Sequence, residues 1–310
     1  LLEKYPEELR VAYRDFPLVT NPGHEKAGYA AHAAHAAALQ GKYWEMHDLL
    51  FEKQAEWSPL SVADFELWLA EQAESLGLDV TQFNEDRQSD TIVEKVRQAF
   101  VTGQEIGLPG TPFLLINGQI YAGPLDFGSL DQIIALIILG ENQFTDCPPF
   151  VIDQEQEYLA TLHTEKGDIV FQFFPEEAPV AVNNFIFLAR EGWYDDITFH
   201  RVVPGAFAET GDPSGTGQGN PGYYFQNEIS PSLTFDRPGR VAMKNVGENT
   251  NGSQFFITYT AAPAYDGKYT IFGQVLSGMD VLGKLSPRDA QGGEILPEGD
   301  ALLGVTIEER

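Results

Sequence analysis

Cysteine is nearly absent. One thiol, Cys147, occurs in 310 residues, so no disulfide can form within the chain. Thiol–disulfide exchange has no pair of sulfurs to work with. Cations are scarce as well, with 19 basic residues against 46 acidic ones and a net charge of −27. Through Gln143 there are 22 acids and 9 bases, a net of −13; the remaining 24 acids and 10 bases give −14. The acidity is therefore spread over both halves and is no tail. It argues against nucleic acid and anionic membrane surfaces as partners. Long apolar runs are missing too: the longest, Ile133 to Leu139, is far shorter than a membrane span needs, so membrane insertion is not expected.

A chain of this length exceeds one typical domain, and two are expected. It begins at Leu1 with no visible signal peptide, as expected of a processed or truncated product whose targeting segment has been removed.

Residues 1–8 read as the tail of a helix, and LRVAYRDFPL at 9–18 alternates like a strand ending at Pro17. Helical patterning covers about 22–39 and 42–51. Ser61 reads as the N-cap of a helix to Leu76, Asp79 as the cap of a short one, and 91–106 as another. Phe113 to Ile116 reads as a buried strand, Asn117-Gly118 as a hairpin turn and Gln119 to Tyr121 as the return strand, with a last helix over 126–139. This is an α/β arrangement. Residues 140–157, with Pro148-Pro149 inside polar flanks, read as a linker. A hairpin over 158–163 and 169–174 and a helix over 178–190 follow. The glycine-rich stretch 213–223 lacks the strand before and helix after that a nucleotide loop requires.

Asn249 to Thr258, NTNGSQFFIT, organises the second half. A period of two puts Gln254 and Phe256 on one face and Phe255 and Ile257 on the other. An amide beside an aromatic ring is a poor core surface but a suitable floor for a peptide site. FHRVVPG at 199–205 likewise sets Arg201 among apolar side chains, which is costly for a buried guanidinium unless it is paired or used.

These two motifs, with Gly211-Asp212, the stretch around Met243 and DGKYTIFGQV at 266–275, occur in one order between Tyr158 and Arg310. In that order they resemble the cyclophilin family of peptidyl-prolyl isomerases. The resemblance implies an all-β closed eight-stranded barrel with two helices and a proline-binding groove. It also implies a reaction that needs no cofactor and no metal. The X-Pro bond resists twisting by roughly 18–20 kcal/mol because of C–N resonance. A groove that favours the twisted state lowers that barrier, and a cation near the pyramidal prolyl nitrogen stabilises it. The resemblance makes Arg201 that cation. It places Phe256 and Phe207 on the proline pocket, Gln254 and Asn245 on the client main chain, and further substrate contacts at Ala206, Glu209, Lys244, Ala264, Tyr265 and Tyr269. Several positions depart from the common pattern. Ala206 stands where phenylalanine is usual, Phe207 for methionine, Glu209 for glutamine, Ala264 for tryptophan, Tyr265 for leucine and Tyr269 for histidine. Glu209 is expected to pair with Arg201 and compete with the client.

RVAYRDFPL, QGKYWEMHDLLF at 40–51 and GLPGTPFLLING at 107–118 are similar to the DsbA-like branch of the thioredoxin superfamily. The resemblance implies a cis Thr111–Pro112 bond where a client peptide pairs, and a Cys-x-x-Cys helix upstream that this chain does not contain. His32 and His35, with His24 nearby, have a spacing that could hold a metal, but nothing completes a site. The expected division is 1–140 thioredoxin-like, 141–157 linker and 158–310 cyclophilin-like. The expected protein is a prolyl isomerase acting on proline-containing polypeptide clients in an extracytoplasmic compartment, with a thioredoxin-like domain that binds clients or is redox-inactive. The alternatives are a non-catalytic proline-binding chaperone and a disulfide oxidoreductase whose cysteines lie upstream of Leu1.

Overall fold

The structure is a computed structural model that describes residues 1–289 and 296–310. It divides into two compact units. One comprises Leu2 and Leu9–Gly123; the other comprises Leu1, Glu3–Glu8 and Pro124–Arg310.

The first unit is mainly helical: α1 Ala27–Leu39, α2 Tyr43–Glu52, α3 Gln54–Trp57, α4 Val62–Ser75, α5 Val80–Asp86 and α6 Asp90–Glu105. Its one sheet among the described residues is a two-stranded antiparallel hairpin, β1 Leu114–Ile116 and β2 Gln119–Tyr121. Ser61 and Asp79 cap α4 and α5 by accepting from Asp64 N and Gln82 N, and Ser89 caps α6 in the same way. Each satisfies an amide the helix start leaves unpaired. Alanines 33, 34, 36 and 37 let the other helices approach α1 closely, and Phe65, Phe83, Met46 and Leu69 fill the space between. Asn117 and Gly118 both have positive φ, which sets the tight hairpin turn.

Three expectations fail here. Residues 1–8 form turns, not a helix end. Residues 9–18 form no strand, and Val11 and Tyr13 are exposed; alternation makes a strand only where a neighbour takes up its hydrogen bonds, and none does. The stretch expected as a buried strand starts at Leu114 and has Leu115 exposed, because the hairpin is not covered on that side. The Thr111–Pro112 bond is cis.

The second unit begins with α7 Phe127–Glu141, capped by Asp126. An irregular segment follows and is strapped to its own unit: Phe144 N donates to Pro221 O, and Val151 N donates to Asn183 Oδ1. Then come β3 Tyr158–Thr164, β4 Gly167–Phe173, α8 Pro179–Arg190, β5 Ile197–Thr198, β6 Arg201–Val203, β7 Phe207–Thr210, β8 Arg240–Met243 and β9 Phe255–Thr258. A 3-10 turn at Pro263–Tyr265, β10 Ile271–Ser277, α9 Met279–Leu282 and β11 Ala301–Glu309 complete the unit.

The described strands β3 to β11 form one antiparallel sheet in the order β5-β11-β3-β4-β10-β8-β9-β7-β6. Its edges, β5 and β6, are separated along the chain only by Phe199 and His200, so the sheet must curl until its edges lie close. Phe171, Phe173, Phe255 and Phe272 fill the inside of the curl, and Phe185 of α8 packs on them, all essentially inaccessible to solvent. The alternation read in 254–257 holds. Phe255 and Ile257 belong to this core, whereas Phe256 belongs to a second cluster with Phe235, Ala242 and Ile271.

Candidate functional site

The second cluster is the floor of the site. Pairing across four strands sets Arg201 opposite Glu209, Glu209 opposite Phe256 and Phe256 opposite Ala242, so these side chains form one row on one face. The strand pairs fix the order of that row, and loop contacts fix its ends. Asn184, buried on α8, donates to Gly252 O; Tyr194 donates to Ser253 O; Ser253 Oγ donates to Gly211 O. Gly211 has φ +94°, and a Cβ there would stand 2.5 Å from Ser253 O, so only glycine fits between the strands. Asp212, fully buried, accepts from Ser214 N and Gly219 N and thereby shapes the glycine-rich loop.

Aromatic rings meet over Phe256. Phe207, Tyr265 and Tyr269 have ring centroids 5.9, 5.9 and 5.2 Å from it, mostly edge to face, and Phe235 stacks on it at 6.0 Å. Phe207 thus supplies a ring although Ala206 has none. Arg201 lies over the Phe207 ring, 5.0 Å from guanidinium carbon to centroid.

Arg201 is not the buried cation its neighbours imply: its side chain is 43% exposed. Its hydrogen bond goes to Asp289, Nε to Oδ1 at 2.8 Å. Glu209, by contrast, has its side chain only 7% exposed, and one of its oxygens lies 3.8 Å from Arg201 Nη1, an ion pair without a hydrogen bond. The expected pairing therefore exists, but Asp289 holds the closer place. Burial pushes the Glu209 carboxyl above the ordinary carboxylate range, against the pull of Lys244 and Arg201. Burial lowers Arg201, but the bond to Asp289 together with the nearby charges of Glu209 and Asp289 outweighs it, so the guanidinium is held more firmly protonated. Next to Arg201, both ring nitrogens of His200 are sealed from solvent without a partner among the described residues. Burial, with Asp212 opposing it, drives its pKa down to about 4.

Gln254, Lys244 and Asn245 are brought together elsewhere, lining a depression of about 250 Å³. Gln254 Nε2 donates to Gly219 O at 2.7 Å, while its buried Oε1 has no partner among the described residues. Ala206 sits in the β6–β7 turn, and Ala264 is exposed in the 3-10 turn. Thr111 and Pro112 belong to the other unit. The sequence reading missed Asp289, which lies 88 positions from its partner, and Phe235, whose signal is only an aromatic in a loop. His35 Nε2 lies 2.7 Å from Asp15 Oδ2, and among the described residues no group of three or more potential ligands is placed to hold a metal.

The peptidyl-prolyl cis-trans isomerase-like 1 protein of Aspergillus fumigatus is 45% identical over 125 residues, which cover 39% of this chain and 78% of that protein. The chain belongs to the cyclophilin-type peptidyl-prolyl isomerases. The profile described as cyclophilin type peptidyl-prolyl cis-trans isomerase/CLD matches residues 159–306, and a DSBA-like thioredoxin domain profile matches 2–135. The chain therefore joins a DsbA-like N-terminal domain to a C-terminal cyclophilin domain with a curled antiparallel sheet. Other relatives are larger. Peptidyl-prolyl cis-trans isomerase CYP71 of Arabidopsis thaliana is 43% identical over 155 residues, 49% of this chain and 23% of that protein. The human peptidylprolyl isomerase domain and WD repeat-containing protein 1 is 45% identical over 130 residues, 41% and 20%. The chain thus spans about a fifth to a quarter of the length of these larger curated relatives. A solved cyclophilin type isomerase from Cryptosporidium parvum is 35% identical, covering 49% of this chain and 98% of that one, with a TM-score of 0.46.

Proposed function

We propose that this chain catalyses cis–trans isomerisation of X-Pro bonds in polypeptide clients. The observation that carries the reading is the row Arg201–Glu209–Phe256 with the Phe207 ring beneath the guanidinium. A half-exposed cation beside a cluster of aromatic rings is what the twisted bond needs. The rings of Phe256, Phe207, Tyr265 and Tyr269 take the proline, and Arg201 donates to its nitrogen as that atom becomes pyramidal. Gln254 Oε1, with Asn245 nearby, receives the client main chain, and Ala206, Glu209, Lys244 and Ala264 border the groove. Covalent steps are not required, because the bond turns and does not break.

We read the curled sheet as the closed eight-stranded barrel with two helices typical of the family. Counting β5 and β6 as one strand bent at Phe199-His200 supports this. The division proposed is 1–140, 141–157 and 158–310. The DsbA-like domain serves as a redox-inactive client-binding module, and the pairing of the two domain types favours an extracytoplasmic setting, where slow proline and disulfide steps of folding coincide. No described helix is long and apolar enough to cross a membrane.

A tetrapeptide isomerisation assay tests the reading. The chain is expected to accelerate the reaction, and the Arg201→Ala variant to lose most of it. Binding of proline peptides without acceleration would favour instead a non-catalytic proline-binding module, a reading motivated by the two carboxylates that hold Arg201.

A further inference from the structure

In a chain with more than twice as many acids as bases, the depression beside Gln254 is lined by one charged residue, Lys244, and by no carboxylate. Lys244 is fixed at the base of that depression: its N–H donates to Gln254 O at 2.9 Å, which ties it to the segment entering β9. Its ammonium makes no direct ion pair among the described residues; the charges it influences are those of Glu209 and His200. At the rim stand Tyr224 and Val246, 52% and 78% exposed, so apolar surface lies around a cation. The rim is built: Val246 N donates to Thr250 Oγ1, which in turn donates to Gly247 O. Gln254 lines the same depression and is more than nine-tenths buried, and its sealed Oε1 has no partner among the described residues.

We infer that this depression is an acid-selective subsite that takes the carboxylate side chain of a client residue near the target proline, with Lys244 setting the preference. The inference rests on the proposed isomerase reading and deepens it by naming a client class. The unpaired Gln254 oxygen accepts a client amide and so fixes an extended backbone alongside. Gln254 precedes Phe256 by two residues, about 6.6 Å of strand at roughly 3.3 Å per residue. An extended client whose proline lies on Phe256 therefore presents a side chain two positions away to this depression. Glutamate suits it better than aspartate, because its methylenes lie against Tyr224 and Val246 while the carboxylate reaches Lys244. The surrounding negative field repels acidic clients at long range, so a local cation is what reverses the preference. That makes the preference a short-range effect, weakened but not inverted by salt.

The test uses the full chain and proline peptides carrying Glu, Gln or Lys two positions before or two positions after proline. Glu is expected to exceed Gln about fivefold in kcat/KM on one side of proline, the size of a partly exposed ion pair. The ratio falls to about one in Lys244→Gln, inverts in Lys244→Glu and survives in Lys244→Arg. Circular dichroism confirms that each variant is folded. An equal rate for Glu and Gln peptides on both sides, or a preference that persists in Lys244→Gln, overturns the inference while leaving isomerase activity standing. If no peptide is isomerised, the functional reading fails separately. Fluorescence anisotropy of the same labelled peptides then decides the inference: tighter Glu binding that depends on Lys244 supports it, and equal binding refutes it.

Discussion

In the C-terminal unit, nine described strands form one sheet whose two edges are two residues apart along the chain. In the N-terminal unit, the two described strands pair only with each other, and Leu115 and Ile120 remain exposed. The first arrangement gives every strand but the two at its edges neighbours on both sides, and it sets Arg201, Glu209 and Phe256 in the row proposed above to carry the chemistry. The second takes its stability from helices packed around alanines, Phe65 and Phe83, and brings no pair of sulfurs together. Each ionisable group thus gains a reactive setting only where the backbone around it is already fixed. Arg201 is aimed by two strands and Asp289, whereas Cys147, the one thiol, is exposed.

The largest expected effect tests whether the C-terminal row does the chemistry. Arg201→Ala is expected to lower kcat/KM by about 10²-fold, near 2.7 kcal/mol, with the fold unchanged. Arg201→Lys recovers little, because one ammonium cannot donate to both Asp289 and the prolyl nitrogen in the geometry of a guanidinium. Wild-type activity in a folded alanine variant would reduce the cation to a structural part.

Next in size is a difference in acid response. His200 has a folded pKa of about 4 against an ordinary 6.5. Its depressed value means the unfolded chain binds a proton that the folded chain refuses. Stability from this residue is intact above pH 6.5 and is lost as pH falls from there toward 4. Between pH 7 and pH 5 the loss is about 2 kcal/mol. Hydrogen exchange within 158–310 is expected to show it and His200→Gln to remove it, with segments of the N-terminal unit unaffected. An equal acid response in both units would break the comparison.

The site was legible where a single element carries the signal. Period-two alternation placed Phe255 and Phe256 on opposite faces, and the caps at Ser61 and Asp79 hold as read. Asn117-Gly118 makes its turn. What escaped depended on partners far along the chain. Residues 9–18 alternate, yet without a strand to pair with they remain irregular. Arg201 looked buried because its neighbours are apolar, but a β-strand residue near a sheet edge can lift its head into water. The resemblance puts Glu209 at a position beside Arg201, and the ion pair it implies is present without a hydrogen bond. Its oxygen lies 3.8 Å from Arg201 Nη1, and Asp289, 88 positions distant, takes the bond.

Glu209 gives the third effect, within the active unit itself. Its carboxylate draws on the Arg201 charge that stabilises the twisted bond in the proposed reaction. Glu209→Gln is expected to raise kcat/KM about tenfold, near 1.4 kcal/mol. Its raised pKa sets the sign of the pH response. The proton returns above the ordinary carboxylate value of 4.5, so parent activity climbs as pH falls toward that value, while the glutamine variant stays flat. A parent already fast, and a variant slower on neutral and charged peptides alike, would show that the carboxylate assists Arg201. A loss confined to peptides with Lys or Arg beside proline would show instead that Glu209 turns toward the client.

The smallest expected effect is none, and it belongs to the N-terminal unit. Exchange requires a thiolate to attack a disulfide and a second thiol to release the mixed disulfide that forms. Cys147 lies in the irregular segment after α7, exposed, and no second sulfhydryl exists in the chain to resolve its adduct. Reduction of insulin by dithiothreitol is therefore expected to run at the same rate with and without this chain, and Cys147→Ser to change nothing. Acceleration lost in Cys147→Ser would mean that a lone thiol is turning over by relying on the reductant. Acceleration that persists in the serine variant would place the effect in client binding, since no thiol would remain to carry it. The first outcome would place thiol chemistry in the C-terminal unit, which holds Cys147; the second would break the contrast between an equipped C-terminal unit and a chemically silent N-terminal one.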